Sequence, residues 1–159
     1  MVDEKEICCP KFDPAPWDEK EVVWKDRLFM TDYVRSIMHI PLNMGQVITR
    51  MWKAIEAADA KVPDKDFVLL SFEYSPWKSE QFIPVTKEVP GFECVKLSGT
   101  YLTKVFEGPY KDAPVWYKEM LNYVKGQGKE AKKIYFYYTT CPKCAKKYGK
   151  NYVVVLAEI

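Results

Sequence analysis

Glu73 closes an apolar run and is followed by Tyr74 and, a little further on, by Trp77. A carboxyl at the end of a buried strand and beside aromatic rings is partly desolvated, which raises its pKa and suits it to general-base work. An aromatic surface with one acid can do two jobs. It can hold a flat cationic or neutral aromatic compound by stacking, cation–π attraction and a charge pair, or it can activate a water for attack on a strained electrophilic carbon. The plainer alternative is a solvated strand-end acid paired with a nearby lysine. Tyr101, Tyr110 and Tyr135 carry phenols able to stabilise a carbonyl that gains negative charge, or else rings that simply pack. Trp77 is read as a stacking wall for a ligand, with cover of a sheet edge as its alternative.

The thiols form a second chemical set. Cys141 and Cys144 have zinc-knuckle spacing, and Cys8, Cys9 and the single histidine, His39, are the residues that could complete four ligands. A redox dithiol and reduced structural thiols are the other readings, the first lacking the strand-to-helix context that activates such pairs. Reduced structural thiols are the favoured reading, so no cofactor is expected, with zinc as the alternative that the spacing offers. His39, between Met38 and Ile40, reads as a satisfied strand histidine with no catalytic role. The lysines at 143, 146, 147 and 150 read as solvation of a long loop. No glycine-rich phosphate cradle, serine-centred elbow or paired-histidine metal helix occurs, which disfavours nucleotide-driven chemistry and classical serine hydrolysis.

These residues need elements to position them. Residues 1–21, with Pro10, Pro14, Pro16 and Trp17, read as an N-terminal arm pinned by apolar anchors. Asn43 and Gln46 fit a capping box, and Val47, Ile48, Met51, Trp52 and Ile55 recur at helical spacing behind it. Phe67 to Phe72 and Gln81 to Thr86 read as strands, with Pro84 implying an edge or bulge. Phe92 to Phe106 gives two short strand runs broken at Ser98-Gly99. A helix then starts near Asp112 and Pro114 with Tyr117, Met120, Leu121 and Val124 as its apolar face and Gly126 at its end. Ile134 to Tyr138 and Tyr152 to Ala157 are the last strands. Each helix and the two strands after it recur at an offset of roughly 66 to 70 residues, the mark of an internal duplication. The expected fold is α+β in class: one domain over 1–159, with two β-α-β-β repeats at about 22–88 and 92–159. These form an antiparallel sheet with a central ligand cleft.

With 159 residues, 48% of them hydrophobic and 29% charged, the chain can bury one core without disulfides. A net charge of +2 with interspersed signs argues against nucleic acid as a partner. Nothing reads as a membrane span or a signal peptide, and the five cysteines do not form a disulfide framework, so a cytoplasmic monomer or weak dimer is expected. Aromatic residues reach 15%, and such rings must fill a core or line a ligand site.

The segment Lys104-Val105-Phe106-Glu107-Gly108-Pro109-Tyr110 resembles the Gly-Pro-Tyr turn that opens the second helix of GyrI-like domains. That family includes gyrase-inhibitory proteins, ligand-binding domains of multidrug-sensing regulators, and hydrolases that open the cyclopropane of duocarmycin-type and yatakemycin-type alkylators. The stretch from Leu70 to Trp77 is similar to the hydrolase branch at its Glu and one Trp, and Tyr135 matches a strand tyrosine of that branch. Where the family usually carries a histidine before the turn, this chain has Phe106. The resemblance covers about residues 22 to 159. It implies a bacterial protein that binds a small hydrophobic or aromatic molecule and hydrolyses cyclopropane-type xenobiotics, a detoxifying role. Glu73 and Tyr110 would be catalytic, and Trp77, Tyr74, Tyr101, Tyr135 and Phe106 would line the ligand. The alternatives are a protein-interaction module like the gyrase inhibitors, which acts on a protein partner without catalysis, and a zinc-stapled sensor.

Overall fold

A computed structural model describes residues 15–38, 40–63, 68–75, 77–109, 112–138 and 152–159, with the backbone alone at 40–41. Cys8, Cys9, His39, Tyr110, Cys141 and Cys144 lie outside the described residues. The described elements are seven strands and two helices: β1 (Lys20–Ile37), β2 (Ile40–Pro41), α1 (Met44–Ala57), β3 (Leu70–Ser75), β4 (Lys78–Pro84), β5 (Glu93–Glu107), α2 (Ala113–Gly126), β6 (Lys133–Tyr138) and β7 (Tyr152–Glu158). The chain is α+β, and every strand pairing with a described register is antiparallel. It divides into two compact units, one of residues 23–99 and one of 1–22 with 100–159.

In the 23–99 unit the antiparallel order is β2-β1-β4-β3. Successive residues of a strand point to opposite faces, and directly paired residues share a face. The register Met30↔Ile83 and Val34↔Ser79 therefore puts Met30, Val34 and Ile83 on one side. There they are covered by Val47, Met51 and Ile55, the fully buried stripe of α1, with Ile48 and Trp52 packed at its margin. Burying five such side chains is the main source of the helix's stability, because a helix of this length is marginal alone. The expected capping box is not formed. Asn43 does stand at the N-cap, but its Oδ1 accepts the backbone N–H of Arg35 at 2.9 Å, tying the helix start to β1 instead of closing on the helix itself. The first expected strand lies further on, at Leu70–Ser75, where β3 finds its partner residues on β4. Pro84 ends β4 opposite Phe29, a terminal position where its missing N–H leaves no gap in the ladder.

In the other unit the order is β6-β7-β5. Leu102, Phe106, Ile134, Phe136, Val153, Val155 and Ala157 share one face and pack with Trp116, Met120 and Val124 of α2. This corrects the expected apolar face. Met120 and Val124 are buried as anticipated, but Tyr117 and Leu121 are exposed, and Trp116 at i, i+4, i+8 completes the stripe. Trp116 takes that place because it stacks on Phe106 with ring centroids 5.9 Å apart. The expected break at Ser98-Gly99 is also corrected. β5 is one strand of 15 residues, and Gly99 (φ 135°) with Ser98, whose hydroxyl accepts the N–H of Asp26 at 2.7 Å, is absorbed within it. Residues 15–19 are held to this unit: the Thr103 hydroxyl donates to the Trp17 carbonyl at 2.5 Å, and Trp17 meets Tyr137 edge-on.

Both helices end the same way. α2 ends at Gly126 as expected, and beyond it Gly128 (φ 75°) sends its N–H to Lys125 and Lys129 sends its N–H to Val124. After α1, Asp59 (φ 52°) and Ala60 make the equivalent bonds to Glu56 and Ile55. A left-handed residue costs an L side chain roughly 1–2 kcal/mol, part of which glycine gives back through its freer unfolded state. Exposed Asp59→Gly is accordingly expected to stabilise the protein by about 0.5–1 kcal/mol in urea denaturation. A loss of stability would show that the aspartate side chain contributes more than its backbone strain removes.

Candidate functional site

The side of the 23–99 sheet away from α1 gathers aromatic rings around a buried carboxylate. Period-two alternation places Phe29, Thr31 and Tyr33 of β1, Leu70 and Phe72 of β3, and Lys78, Glu80 and Phe82 of β4 together on that face, through the pairs Tyr33↔Glu80, Thr31↔Phe82, Phe72↔Glu80 and Leu70↔Phe82. Tyr74 joins them past the irregularity between Glu73 and Ser75. Its ring meets Phe72 edge-on at 4.9 Å and Tyr33 at 6.3 Å, and Phe29 meets Phe82 edge-on at 6.4 Å.

Within this aromatic field lies one buried carboxylate. Glu80 is only 5% exposed, and its Oε1 accepts a short hydrogen bond from the Tyr74 hydroxyl. A carboxylate withdrawn from water needs such donors, and a hydrogen bond to the ionised form is the strong kind. The phenols register the same charge. The Tyr74 pKa is pushed well above the usual tyrosine value, chiefly by its hydrogen bond to Glu80 and then by burial, and that of Tyr33 is raised first by the charge of Glu80. Thr31 is buried on this face, and its hydroxyl has no hydrogen-bond partner among the described residues. The lip of the face is cationic: the Lys78 ammonium lies 4.2 Å from the Tyr33 ring centroid and 5.6 Å from that of Tyr74. By contrast, the open groove on the outside of α1 is lined by Gly45, Gln46, Thr49, Arg50 and Lys53, with neither an acid nor an aromatic ring among them.

Set against the residues expected from sequence, the face gathers Tyr74 but not Glu73. Glu73 is exposed and pairs with Ser79, which puts it on the α1 side of the sheet, opposite Tyr74. The expected desolvated acid is found instead at Glu80, one strand over. Trp77 sits 56% exposed in the turn between β3 and β4, where its carbonyl accepts the N–H of Ser36 at 2.8 Å. Tyr101 and Tyr135 belong to the other unit. They share the face away from α2, with ring centroids 6.3 Å apart, and both are buried. Phe106 lies on the α2 side of that unit, inside the core with Trp116, so packing accounts for it and the expected ligand-lining place is corrected. Cys94 is half-buried, and no group of three metal-ligating side chains occurs among the described residues. No described helix is long and apolar enough to cross a membrane.

Along residues 1–159 the sequence matches the model of a protein family described as bacterial hydrolase. No curated protein matches it significantly. An uncharacterised conserved protein from Listeria innocua has a similar structure, with a TM-score of 0.61 at 9% identity over 87% of this chain and 90% of that one. A hydrolase encoded by lin2189 from Listeria innocua is similar at a TM-score of 0.60 and 9% identity, covering 89% and 92%. SAV2435 bound to tetraphenylphosphonium gives 0.49 and 11%, covering 87% and 92%, a likeness too slight to bear on function. The first two show the fold alone, and family and fold together fit the GyrI-like arrangement in broad outline.

The tyrosines make the electrostatics measurable. Burial, with the charge of Glu158 second, pushes the pKa of Tyr101 up to about 12. Below pH 10 this phenol is neutral in both the folded and unfolded chains and has no effect on the balance. Above it the unfolded chain ionises first, so stability falls as pH rises from about 10 to 12. Alkaline urea titrations are expected to show that loss, and Tyr101→Phe is expected to flatten the slope. An unchanged slope in the variant would place the alkaline weakness at another residue.

Proposed function

Because the chain belongs to the bacterial hydrolase family, we propose that it binds a small hydrophobic or aromatic molecule on the aromatic face of the 23–99 unit and hydrolyses a reactive one there, with Glu80 as general base. The observation that carries this reading is the Glu80 carboxylate, buried among aromatic rings and anchored by the Tyr74 hydroxyl. Family membership favours hydrolysis over simple sequestration. The rings of Phe72, Tyr74 and Tyr33 offer flat apolar contact.

The resemblance to cyclopropane-opening hydrolases implies a cyclopropane conjugated to a carbonyl as the substrate, and a general base beside aromatic rings can serve its hydrolysis. Glu80 takes a proton from a water as the water oxygen attacks the strained ring carbon. The ring C–C bond breaks, its electron pair moves into the conjugated carbonyl, and the resulting oxyanion takes a proton from solvent while Glu80 releases its own to solvent, so that one water is added overall. Tyr74 holds one carboxylate oxygen through its hydrogen bond and leaves the other for the water. Glu73, the base expected from sequence, lies on the opposite face of the same sheet and is assigned no part in this step.

We also infer that the two units are repeats of one β-α-β-β module. In each, the long first strand pairs with the last strand and the last strand with the middle one, β1-β4-β3 and β5-β7-β6, with the two-residue β2 added before α1 in the first. The helices begin about 70 residues apart.

The test is turnover of cyclopropane-bearing alkylators by wild type and by two variants, with binding followed by tryptophan fluorescence. Glu80→Gln is expected to lower kcat by roughly 100-fold or more while the Kd of a neutral ligand stays within a few-fold, and Glu73→Gln is expected to turn over normally. The reverse result would restore Glu73 as the base. Turnover in neither wild type nor variants, with saturable binding retained, would leave a ligand-sequestering protein.

A further inference from the structure

The lip of the aromatic face is already occupied by a cation. Lys78 begins β4, its side chain bends over two tyrosine rings at once, and these rings, Tyr33 (39% exposed) and Tyr74 (53% exposed), are among the most open aromatics of the unit. Lys78 and Glu80 stand two positions apart on β4 and so share a face, while Tyr33 lies directly opposite Glu80 and Arg35 opposite Lys78. The ammonium thus rests where the ring faces and the negative charge of Glu80 together favour positive charge. It rests there on a flexible four-carbon stem, exposed and able to swing away into water. Arg35, exposed and paired beside it, adds a second positive charge at the same end.

We propose that Lys78 is a tethered cation that occupies the outer subsite of the ligand face, and that an organic ammonium or aromatic cation binds by displacing its ammonium from Tyr33 and Tyr74. This rests on the assignment of that face as the ligand site and adds what governs its selectivity. A neutral aromatic slides under or beside the lysine stem and gains apolar contact from it. A cation must evict the ammonium and meets its repulsion while doing so. Lys78 therefore biases the site toward neutral compounds, in keeping with a substrate whose reactive group is an uncharged strained ring. It also makes the cation preference that Glu80 and the tyrosines would otherwise confer latent. Raised phenol pKa values at Tyr33 and Tyr74, driven by Glu80, agree with a field that favours positive charge at the rings and keeps the phenols un-ionised.

The experiment compares benzyltrimethylammonium with neopentylbenzene, its neutral isostere, on wild type, Lys78→Gln and Tyr74→Phe. Binding is read by NMR, and selectively labelled Lys78 is observed at its ε-methylene. In wild type this methylene is expected to be shifted upfield by the ring currents and to move to the unshifted position as the ammonium probe saturates the site. Lys78→Gln is expected to tighten the ammonium probe by roughly fivefold and to leave the isostere within about twofold. Unchanged or weaker ammonium binding in Lys78→Gln, or a Lys78 resonance that stays in place while the probe binds, would overturn the displacement. The ligand-site assignment fails differently. In that case neither probe binds any of the three proteins, or both bind all three alike with no shift at Tyr33, Tyr74 or Phe72, and the displacement falls with it.

Discussion

A carboxylate withdrawn from water must be supplied with hydrogen bonds or a countercharge, and Glu80 meets that demand in an aromatic setting through the Tyr74 hydroxyl. Most of what is distinctive in the 23–99 unit follows from it. Tyr74 has to reach across from β3, which it does just past the irregularity of that strand. Tyr33 has to sit opposite Glu80, so β1 cannot slip on β4 by one residue without sending Tyr33 to the α1 side, away from Glu80. An apolar residue at 80 would pack more simply, so the acid there carries a desolvation cost that the Tyr74 hydrogen bond offsets.

The helices decide which faces remain for chemistry. α1 covers one side of its sheet with Val47, Met51 and Ile55, and α2 covers one side of the other with Trp116, Met120 and Val124. Each unit keeps a second side rich in rings. In the unit of residues 1–22 and 100–159 that side carries Tyr101, Tyr135 and Tyr137, and its threonine, Thr103, is satisfied by the carbonyl of Trp17. In the 23–99 unit the corresponding strand position is Thr31, whose hydroxyl has no partner among the described residues, and a carboxylate stands nearby. Thr103 is thus satisfied by its own chain, and Thr31 by none of the described residues.

Much of this was legible from sequence and some was hidden for definable reasons. Both helices announced themselves by periodicity, as did the two strands after each, whereas no residues were assigned to β1 or β2 and β5 was divided in two. The buried face of α2 was misread because Tyr117 and Leu121 fit a helical spacing as well as Trp116 does, and only the stacking of Trp116 on Phe106 separates the two choices. Glu73 drew attention as the acid at the end of an apolar run, yet alternation alone puts it on the opposite side from Phe72 and Tyr74. Glu80 escaped notice because its neighbours Ser79 and Gln81 make the stretch look polar and solvated. Gln81 and Ser79 are in fact buried on the α1 side, joined by a hydrogen bond of 3.3 Å. The significance of Glu80 emerges only when the register sets it between Tyr33 and Phe72.

The central claim, that the ring-lined side of the 23–99 sheet is the ligand surface, is most directly tested by solving the structure of the protein with a flat neutral aromatic compound bound. The account predicts density against Phe72, Tyr74 and Tyr33, with a polar atom of the compound or a water within hydrogen-bond distance of the Glu80 carboxylate. Density on the α1 side beside Glu73, with the Glu80 face unchanged, would contradict it.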